Sequence, residues 1–310
     1  MTRITSHDGT ALSPLCFGTM QFGGRADATE SRAMFDACRA RGITFFDTAN
    51  VYTEGASETL LGDFAQGERD SLIIATKAAY SGGAGRRNIL DSLETSRSRM
   101  KMDVIDVLYL HRWDADTPLE ESFETLAEVQ RAGKVRYIAV SNFAAWQVVK
   151  AQGVAATFDT RIDMIQPMYS LVKRQAEVEI LPMAQDLGIA VAPYSPLGGG
   201  LLSGKYADGG TGRLTEDDRY AVRYGPEWMH RTARDLTALA QEVGQSPATL
   251  AVAWVMAHPA VTAPIVSART AAQLEPSLAA LDLTLDAEII ARLTALSPTP
   301  APATDRLEEV

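Results

Sequence analysis

The chain has 310 residues, of which 46% are hydrophobic and 22% are charged, a balance typical of a globular protein with a sizeable core. It carries 29 lysines and arginines against 39 acidic residues, a net charge of −10, and lacks the basic cluster that nucleic-acid binding needs. No apolar run approaches a membrane span, and the first residues lack the apolar segment of a signal peptide. The two cysteines, Cys16 and Cys38, indicate no disulfide framework, so we expect a cytoplasmic protein without a membrane partner.

The chain then alternates between strand-like and helix-like segments. Residues 3–12 predict a small hairpin that turns at Asp8-Gly9. Short apolar runs predict eight buried strands: Leu15–Phe17, Phe45–Asp47, Ser71–Thr76, Val104–Leu110, Val135–Val140, Ile162–Ile165, Ile189–Pro193 and Val261–Val266. Amphipathic patterns predict the helices between and after them: Thr29–Arg41, Ser57–Phe64, Arg87–Met100, Pro118–Ala132, a segment ending near Gln152, Glu177–Leu187, Arg231–Val243, Pro247–Ala257 and Thr270–Leu281. A glycine-rich excursion, 195–226, follows the seventh strand.

Eight alternating units favour a (β/α)8 TIM barrel, an α/β fold, as a single domain over residues 1–310. An extra C-terminal helix is predicted at Asp286–Leu296, and the Pro/Ala-rich, acidic tail at 298–310 is expected to be disordered. The alternative is a Rossmann-type sheet, which needs G-x-G-x-x-G after the first strand. That position reads GTMQFGG at 18–24, so we reject the Rossmann fold.

Six of the predicted strands end at a polar side chain, namely Asp47, Lys77, His111, Asn142, Gln166 and Tyr194. In a barrel, the C-terminal ends of the strands meet at one mouth, where catalytic residues usually lie. Taken singly, each has an ordinary explanation, such as a solvated lysine or a histidine at the rim. Six polar ends on one face favour a shared site.

Asp47, Tyr52, Lys77 and His111 form a chemically coherent set. A lysine ammonium about 4 Å from a phenol favours the phenolate by about 4 kcal/mol at an effective dielectric near 20, enough to lower its pKa by about two units. Asp47 would hold Lys77 charged, and His111 would align a substrate oxygen. The set therefore predicts a proton donor, Tyr52, aimed at a carbonyl oxygen.

The excursion after the seventh strand indicates a site for a dinucleotide. Its glycines would let the backbone approach a diphosphate that Lys205 neutralises, although a plain surface loop is the alternative. Tyr194 offers a flat face for stacking, while Ser141, Asn142 and Gln166 can recognise a carboxamide. Ser267, Arg269 and Gln273 lie at a helix entrance that favours a phosphate, unless Arg269 is only a surface charge.

With these residues on view, the chain resembles the aldo-keto reductase superfamily from Leu15 to about Leu281. The matching segments are FGTMQFGG at 17–24, FFDTANVY at 45–52, ATK at 75–77, LYLHRWD at 108–114, GKVRYIAVSNF at 133–143, QPMYSLVKR at 166–174 and APYSPLGGGLLSGKY at 192–206. The resemblance implies a barrel that binds an extended nicotinamide dinucleotide. It also implies that Tyr52 is the general acid and base, supported by Asp47, Lys77 and His111.

The resemblance further implies where the cofactor lies. The residues that it assigns to the cofactor are Gly18, Thr19, Met20, Asp47, Ser141, Asn142, Gln166, Tyr194, Ser195, Pro196, Leu197, Gly199, Gly200, Leu201, Lys205, Ser267, Arg269, Gln273 and Ser277. Two positions depart from the family pattern: VSAR at 266–269 stands where Pro-Gly-Ala-Arg is common, and Ser277 replaces a usual asparagine. Arg269 makes NADP(H) the expected cofactor, with NAD(H) as the alternative.

The substrate side is less specific. Met20, Phe22, Tyr52, Tyr80, His111 and Trp113 are expected to line the substrate pocket, with Tyr169 or Trp228 as further candidates. This aromatic rim suits a small-molecule carbonyl or alcohol such as a sugar, an aromatic aldehyde or a steroid. The sequence does not define the oligomeric state.

Three functions are alternatives to carbonyl reduction. The first is the same chemistry run as an alcohol or sugar oxidation, and the second is a cofactor-sensing regulatory subunit, since potassium-channel β subunits share the fold. A glycosidase needs two carboxylates, and among the strand ends only Asp47 is acidic. The four histidines show no ligand spacing, so no metal site is expected.

Overall fold

The computed structural model of the protein describes residues 3–206 and 210–304. Within these residues eight parallel strands form one sheet, in the order β7-β6-β5-β4-β3-β2-β1-β8. They are β1 (Cys16–Gly18), β2 (Phe45–Asp47), β3 (Ile73–Ala78), β4 (Ile105–Leu110), β5 (Val135–Ser141), β6 (Met164–Gln166), β7 (Ala190–Val191) and β8 (Ile265–Val266). An isolated parallel bridge between Tyr194 and Ile265 joins the two outer strands and closes the ring. The predicted (β/α)8 barrel is confirmed.

Helices surround the sheet in chain order. They are α1 (Ala28–Ala40), α2 (Ala56–Ala65), α3 (Arg86–Met100), α4 (Leu119–Arg131), α5 (Ala145–Ala156), α6 (Ile180–Asp186), α7 (Arg213–Glu216), α8 (Asp218–Arg223), α9 (Glu227–Glu242), α10 (Pro247–Met256), α11 (Ala271–Leu278) and α12 (Ala287–Ala295). Short 3₁₀ helices lie at Tyr52–Gly55, Gln66–Ser71, Gln175–Glu177, Gly198–Ser203 and Ala279–Asp282. The helix α12 is the predicted extra C-terminal helix.

The strands alternate between two apolar environments. Phe45 packs in the barrel interior, in a cluster drawn from neighbouring strands that includes Ile73 and Val107. Phe46, one residue later, points the other way, and its ring stacks on Phe35 of α1 with the ring centroids 4.8 Å apart. Because successive side chains of a strand face opposite sides, a barrel strand with helices outside must be apolar at almost every position.

The N-terminal hairpin closes one end of the barrel. Thr5 pairs with Ala11, and the buried side chain of Ile4 joins the interior cluster. Beneath the hairpin, Asp106 is fully buried and accepts from Arg69 at 2.6 Å and from Arg136 at 2.8 Å. The mouth with the polar strand ends lies at the opposite end.

The structure differs from the sequence-based expectations mainly after β7. The predicted glycine-rich excursion contains the helices α7 and α8, whose short polar segments lack a helical apolar period. Residues 298–304 of the predicted disordered tail have no helix or strand, while its residues 305–310, like 207–209 of the excursion, lie outside the described part. Cys16 and Cys38 are buried and free. None of the described helices has the length and apolar character needed to cross a bilayer.

Candidate active site

A buried ion pair lies at the centre of the mouth. Lys77, near the end of β3, donates from Nζ to Asp47 Oδ2 at 2.5 Å and to the carbonyl oxygen of Thr48 at 2.6 Å. The amide of Gln166, at the end of β6, donates to Asp47 Oδ1 at 3.0 Å. The Lys77 side chain is fully buried, so the lysine is not the solvated strand end of the ordinary explanation.

Tyr52 and His111 complete the predicted group of four. The 3₁₀ turn after β2 brings the Tyr52 ring to 5.0 Å from Lys77 Nζ, measured to the ring centroid. The imidazole of His111, directly after β4, meets the Tyr52 ring edge-on, with centroids 5.9 Å apart at 82°. The structure thus brings together four residues that are up to 64 positions apart in sequence.

Electrostatics in this group differ from the sequence-based estimate. Burial acts to lower the pKa of Lys77, but Asp47 and Tyr52 outweigh it, and the pKa is raised. Burial also raises the pKa of Tyr52, and Lys77 offsets only part of that rise. The predicted net lowering for Tyr52 was wrong because it counted the lysine and omitted desolvation. At neutral pH the ammonium is charged and the phenol holds its proton.

His111 is neutral at physiological pH. Burial, reinforced by the cations Lys77 and Arg112, lowers the pKa of His111 to about 3. Its Nδ1 is buried without a hydrogen-bond partner among the described residues. A neutral imidazole can donate one hydrogen bond to a substrate oxygen without adding charge to the site.

The low pKa of His111 predicts an acid-sensitive fold. Below pH 6.5 the imidazole is protonated in the unfolded chain, whereas in the folded protein it stays neutral down to about pH 3. The unfolding free energy therefore falls as the pH falls. Between pH 7 and pH 4.5 the wild type should lose about 2 to 3 kcal/mol more unfolding free energy than His111→Gln, which has no titrating ring. Urea denaturation at a series of pH values measures this difference. Parallel stability curves for the two proteins would contradict the buried neutral imidazole.

The residues predicted to recognise a carboxamide form one hydrogen-bonded cluster. Asn142 has a left-handed backbone, φ 59°, and its amide donates to the carbonyl oxygen of His111 at 2.9 Å. Tyr194 donates from its hydroxyl to Asn142 Oδ1 at 2.7 Å, and Ser141 Oγ donates to the carbonyl oxygen of Gln166 at 3.0 Å. The cluster therefore ties β4, β5, β6 and the segment after β7 together beside the ion pair.

The glycine segment after β7 has a backbone that other residues rarely adopt. Gly198, Gly199 and Gly200 have φ of 55°, 66° and 99°. A Cβ on Gly199 would lie 2.8 Å from the Tyr220 ring, so α8 packs closely on this segment. The N–H groups of Gly198 and Gly200 donate to the carbonyl oxygens of Ser195 and Leu197 at 2.9 Å, so the segment is a pair of tight turns. Lys205 is exposed, with its amine 4.8 Å from the Tyr206 ring centroid.

The segment predicted to bind the adenosine end of a dinucleotide contains an ion-pair bridge that the sequence did not predict. Glu216 of α7 accepts from Arg269 at 2.8 Å and from Arg25 at 2.8 Å. Ser267 Oγ is buried and lacks a hydrogen-bond partner among the described residues. Gln273 is exposed on α11, whereas Ser277 is only 2% exposed. An unpaired buried hydroxyl two residues before an arginine in sequence fits a phosphate group.

The remaining predicted cofactor residues lie around the same mouth or directly beneath it. Gly18, Thr19, Pro196 and Leu201 are buried, and Met20, Ser195, Leu197, Gly199 and Gly200 are half-buried. Their position, with the glycine turns and the orphaned Ser267 hydroxyl, fits an extended dinucleotide. Among the described residues, no cluster of three or more His, Cys, Asp or Glu side chains could hold a metal ion.

Of the predicted substrate residues, Tyr80 and Trp113 belong to an aromatic rim. We define this rim as Tyr80, Trp113, Phe143 and Trp146. Tyr80 is 44% exposed and lies 4.8 Å from the His111 ring, while Trp113 packs against Phe143 at 5.2 Å and Trp146 at 5.6 Å between centroids. Trp146, at the start of α5, was missed because a single exposed tryptophan gives no periodic signal.

The structure places two other substrate candidates away from the rim. Phe22 has no exposed surface and packs against Phe17 and Phe64 in the core outside the barrel. Tyr169 is equally buried, and its ring lies 5.2 Å from that of Trp254. Trp228 is half-buried against the core. Neither Phe22 nor Tyr169 offers surface to a substrate in this structure.

The fold and the sequence are those of one protein family. The sequence model of the Aldo/keto reductase family matches residues 14–298. An uncharacterized oxidoreductase of Bacillus subtilis (strain 168), YrpG, is 38% identical over 94% of both chains. A probable voltage-gated potassium channel subunit beta of Oryza sativa subsp. japonica is 32% identical, over 93% of this chain and 94% of its own. L-glyceraldehyde 3-phosphate reductase of Escherichia coli (strain K12) is 32% identical, over 94% and 90%.

The chain therefore belongs to the Aldo/keto reductase family. Members of this family generally use a nicotinamide cofactor, and the names of the relatives support an oxidoreductase.

Proposed function

We propose that the protein is an NADP(H)-dependent reductase that converts an aldehyde or ketone to an alcohol. The observation that carries the proposal is the buried Asp47–Lys77 ion pair beside the protonated Tyr52 and the neutral His111. A proton donor, its polariser and a hydrogen-bond donor at one mouth are what carbonyl reduction requires of the protein.

Each residue has a separate task. His111 and Tyr52 would hold the carbonyl oxygen by hydrogen bonds and so orient the carbonyl carbon. As negative charge develops on that oxygen, Tyr52 transfers its proton to it. Lys77 stabilises the resulting tyrosinate, and Asp47 keeps Lys77 charged and in place. Alcohol oxidation uses the same residues in reverse, so the ratio of oxidised to reduced cofactor sets the direction.

The cofactor would supply the hydride at the carbon. Ser141, Asn142 and Gln166 would hold its carboxamide, and Tyr194 would stack on the nicotinamide. The turns at Gly198–Gly200 and Lys205 would bind the diphosphate, while Ser267 and Arg269 would bind the 2′-phosphate. These assignments rest on the hydrogen-bonded cluster, the positive φ values and the orphaned Ser267 hydroxyl.

A substrate panel tests this function. The purified protein is incubated with NADPH or NADH and a set of aldehydes and ketones, and with NADP⁺ and a set of alcohols, while absorbance of the reduced nicotinamide is followed. We expect turnover of at least one carbonyl class with NADPH. No change in absorbance with any substrate or cofactor would overturn the proposal.

Arg269→Ala tests the choice of cofactor. Removing a charge-assisted contact to the 2′-phosphate should raise the Kd for NADPH about 10- to 100-fold and the Kd for NADH only slightly, measured by fluorescence titration. Arg292→Ala is the matched control, because it also breaks an exposed arginine–glutamate pair but lies on α12. An equal rise in the Kd for NADPH and for NADH in Arg269→Ala would mean that Arg269 does not bind the 2′-phosphate.

A cofactor-sensing subunit is the second candidate, favoured by the relative that is named a potassium channel subunit beta. Such a protein would bind NADPH and still turn over no carbonyl or alcohol in the panel. Tight NADPH binding without turnover would therefore select this candidate.

A further inference from the structure

Arg112 is an exposed cation at the mouth, next in sequence to His111. Its guanidinium carbon lies 5.2 Å from the centroid of the Tyr80 ring, and that ring in turn lies 4.8 Å from the ring of His111. One aromatic ring therefore separates the charge of Arg112 from the imidazole that faces Tyr52. The charge is close enough to contribute to the lowered pKa of His111.

No acidic side chain neutralises Arg112 within residues 3–206 and 210–304, where its guanidinium has neither an ion pair nor a hydrogen bond. Asp114, the nearest acid in sequence, is engaged elsewhere: it accepts from the backbone N–H of Ala84 at 2.7 Å and from the Thr117 hydroxyl at 2.6 Å. Arg219 of α8, whose charge also interacts with Tyr80, is held by Asp217 at 3.0 Å. Arg112 is thus an exposed cation without an anionic partner among the described residues, and its guanidinium is available to an anion from solution.

We propose that the substrate carries an anionic group, a carboxylate or a phosphate, and that Arg112 binds this group while the carbonyl lies at Tyr52 and His111. This inference deepens the proposed function and rests on it. Arg112 takes no part in bond making or breaking, and the reaction does not change the anionic group. In a chain with a net charge of −10, an anionic substrate is repelled at long range, so a local cation has to hold it.

The surroundings of Arg112 also define the body of the substrate. Trp113 follows it directly in sequence and packs against Phe143, which is only 7% exposed, and against Trp146, which is 62% exposed. The exposed ring of Tyr80 beside the planar guanidinium suits a flat, apolar body with a charged end. The guanidinium can bind either a carboxylate or a phosphate through paired hydrogen bonds.

The test compares three aldehydes built on one ring: 4-carboxybenzaldehyde, 4-formylphenyl phosphate and the neutral 4-formylbenzamide. The wild type should have a higher kcat/KM for at least one anionic aldehyde than for the amide, and the preferred one identifies the anion. Arg112→Met should lower kcat/KM for that aldehyde about 10-fold more than for the amide, mainly through KM. Added salt should reduce the preference in the wild type and have little effect on it in the variant.

Arg131→Met is the matched control. Arg131 is an exposed arginine without an ion pair among the described residues, and it ends α4, at the opposite end of the barrel. The control makes the same change in net charge and should keep the wild-type preference. The proposal would be overturned if Arg131→Met lost the preference for the anionic aldehyde to the same extent, or if Arg112→Met lowered kcat/KM equally for all three aldehydes.

A binding measurement separates this proposal from the proposed function. Saturation-transfer NMR with the non-reacting 4-methylbenzoate, phenyl phosphate and 4-methylbenzamide, with and without NADPH, needs no turnover. Binding of an anion that is weakened in Arg112→Met but not in Arg131→Met would support the anion site even if the panel shows no activity. Binding of all three compounds without an effect of Arg112→Met would overturn it even if the panel shows activity.

Discussion

Replacing Tyr52 with phenylalanine is expected to lower kcat for carbonyl reduction by about 10³-fold while NADPH binds nearly as before. The substitution removes one hydroxyl and keeps the ring that packs edge-on against His111. Without that hydroxyl, negative charge developing on the substrate oxygen has no proton donor, and water cannot replace it with the same alignment. Steady-state kinetics with the best substrate of the panel, together with a fluorescence titration of NADPH, measures both quantities.

Tyr137→Phe provides the control for loss of a tyrosine hydroxyl. The Tyr137 hydroxyl lies at the closed end, where it accepts from the backbone N–H of Thr5 at 3.2 Å. This variant should lose a little stability and retain its kcat. If Tyr52→Phe instead kept the wild-type kcat, the phenol would have no role in proton transfer, and another donor would have to be sought.

The second large effect is expected from Lys77→Met, which leaves the buried carboxylate of Asp47 without its cation. Removing one partner of a buried pair typically costs about 3 to 5 kcal/mol of unfolding free energy. The variant should also lose turnover, because nothing then stabilises the tyrosinate. Urea denaturation and kcat, measured on the same preparation, test the two parts of this prediction.

The double variant Lys77→Met with Asp47→Leu separates stability from catalysis. An apolar pair of similar volume avoids the unpaired charge, so much of the lost stability should return while turnover stays absent. If Lys77→Met alone were as stable as the wild type, Asp47 would have to be protonated in the fold. Recovery of turnover in the double variant would contradict the role of Lys77 at the phenol.

The ends of the strands could be predicted because their chemistry stands out against apolar surroundings. Asp47, Lys77 and His111 each follow a run of buried residues, and parallel strands bring such ends to one mouth whatever lies between them. The hairpin at 3–12 was predictable for a similar reason, since Asp8-Gly9 is a local turn signal. In each case the information lies within a few adjacent residues.

Features that depend on contacts between distant segments could not be read in this way. The pKa of Tyr52 depends on how completely the surrounding segments desolvate it, which no adjacent residue reveals. Phe22 lies in a motif next to residues that are proposed to bind the cofactor, yet its ring faces the core. Glu216 forms ion pairs with both Arg25 and Arg269, and Arg25 lies 191 positions before Glu216 in sequence. A lone glutamate in a polar excursion gives no sign of that bridge.

The barrel is least strongly joined between β7 and β8, two strands of two residues each. There the ring depends on the bridge from Tyr194 to Ile265 and on single backbone hydrogen bonds, such as the one that the N–H of Ile265 donates to the carbonyl oxygen of Pro193 at 2.8 Å. The residues proposed to bind the cofactor lie on both sides of this β7–β8 junction. A bound dinucleotide would therefore contact both sides and stabilise the closed barrel. The lifetime of the protein against proteases in a cell would then follow the supply of the nucleotide.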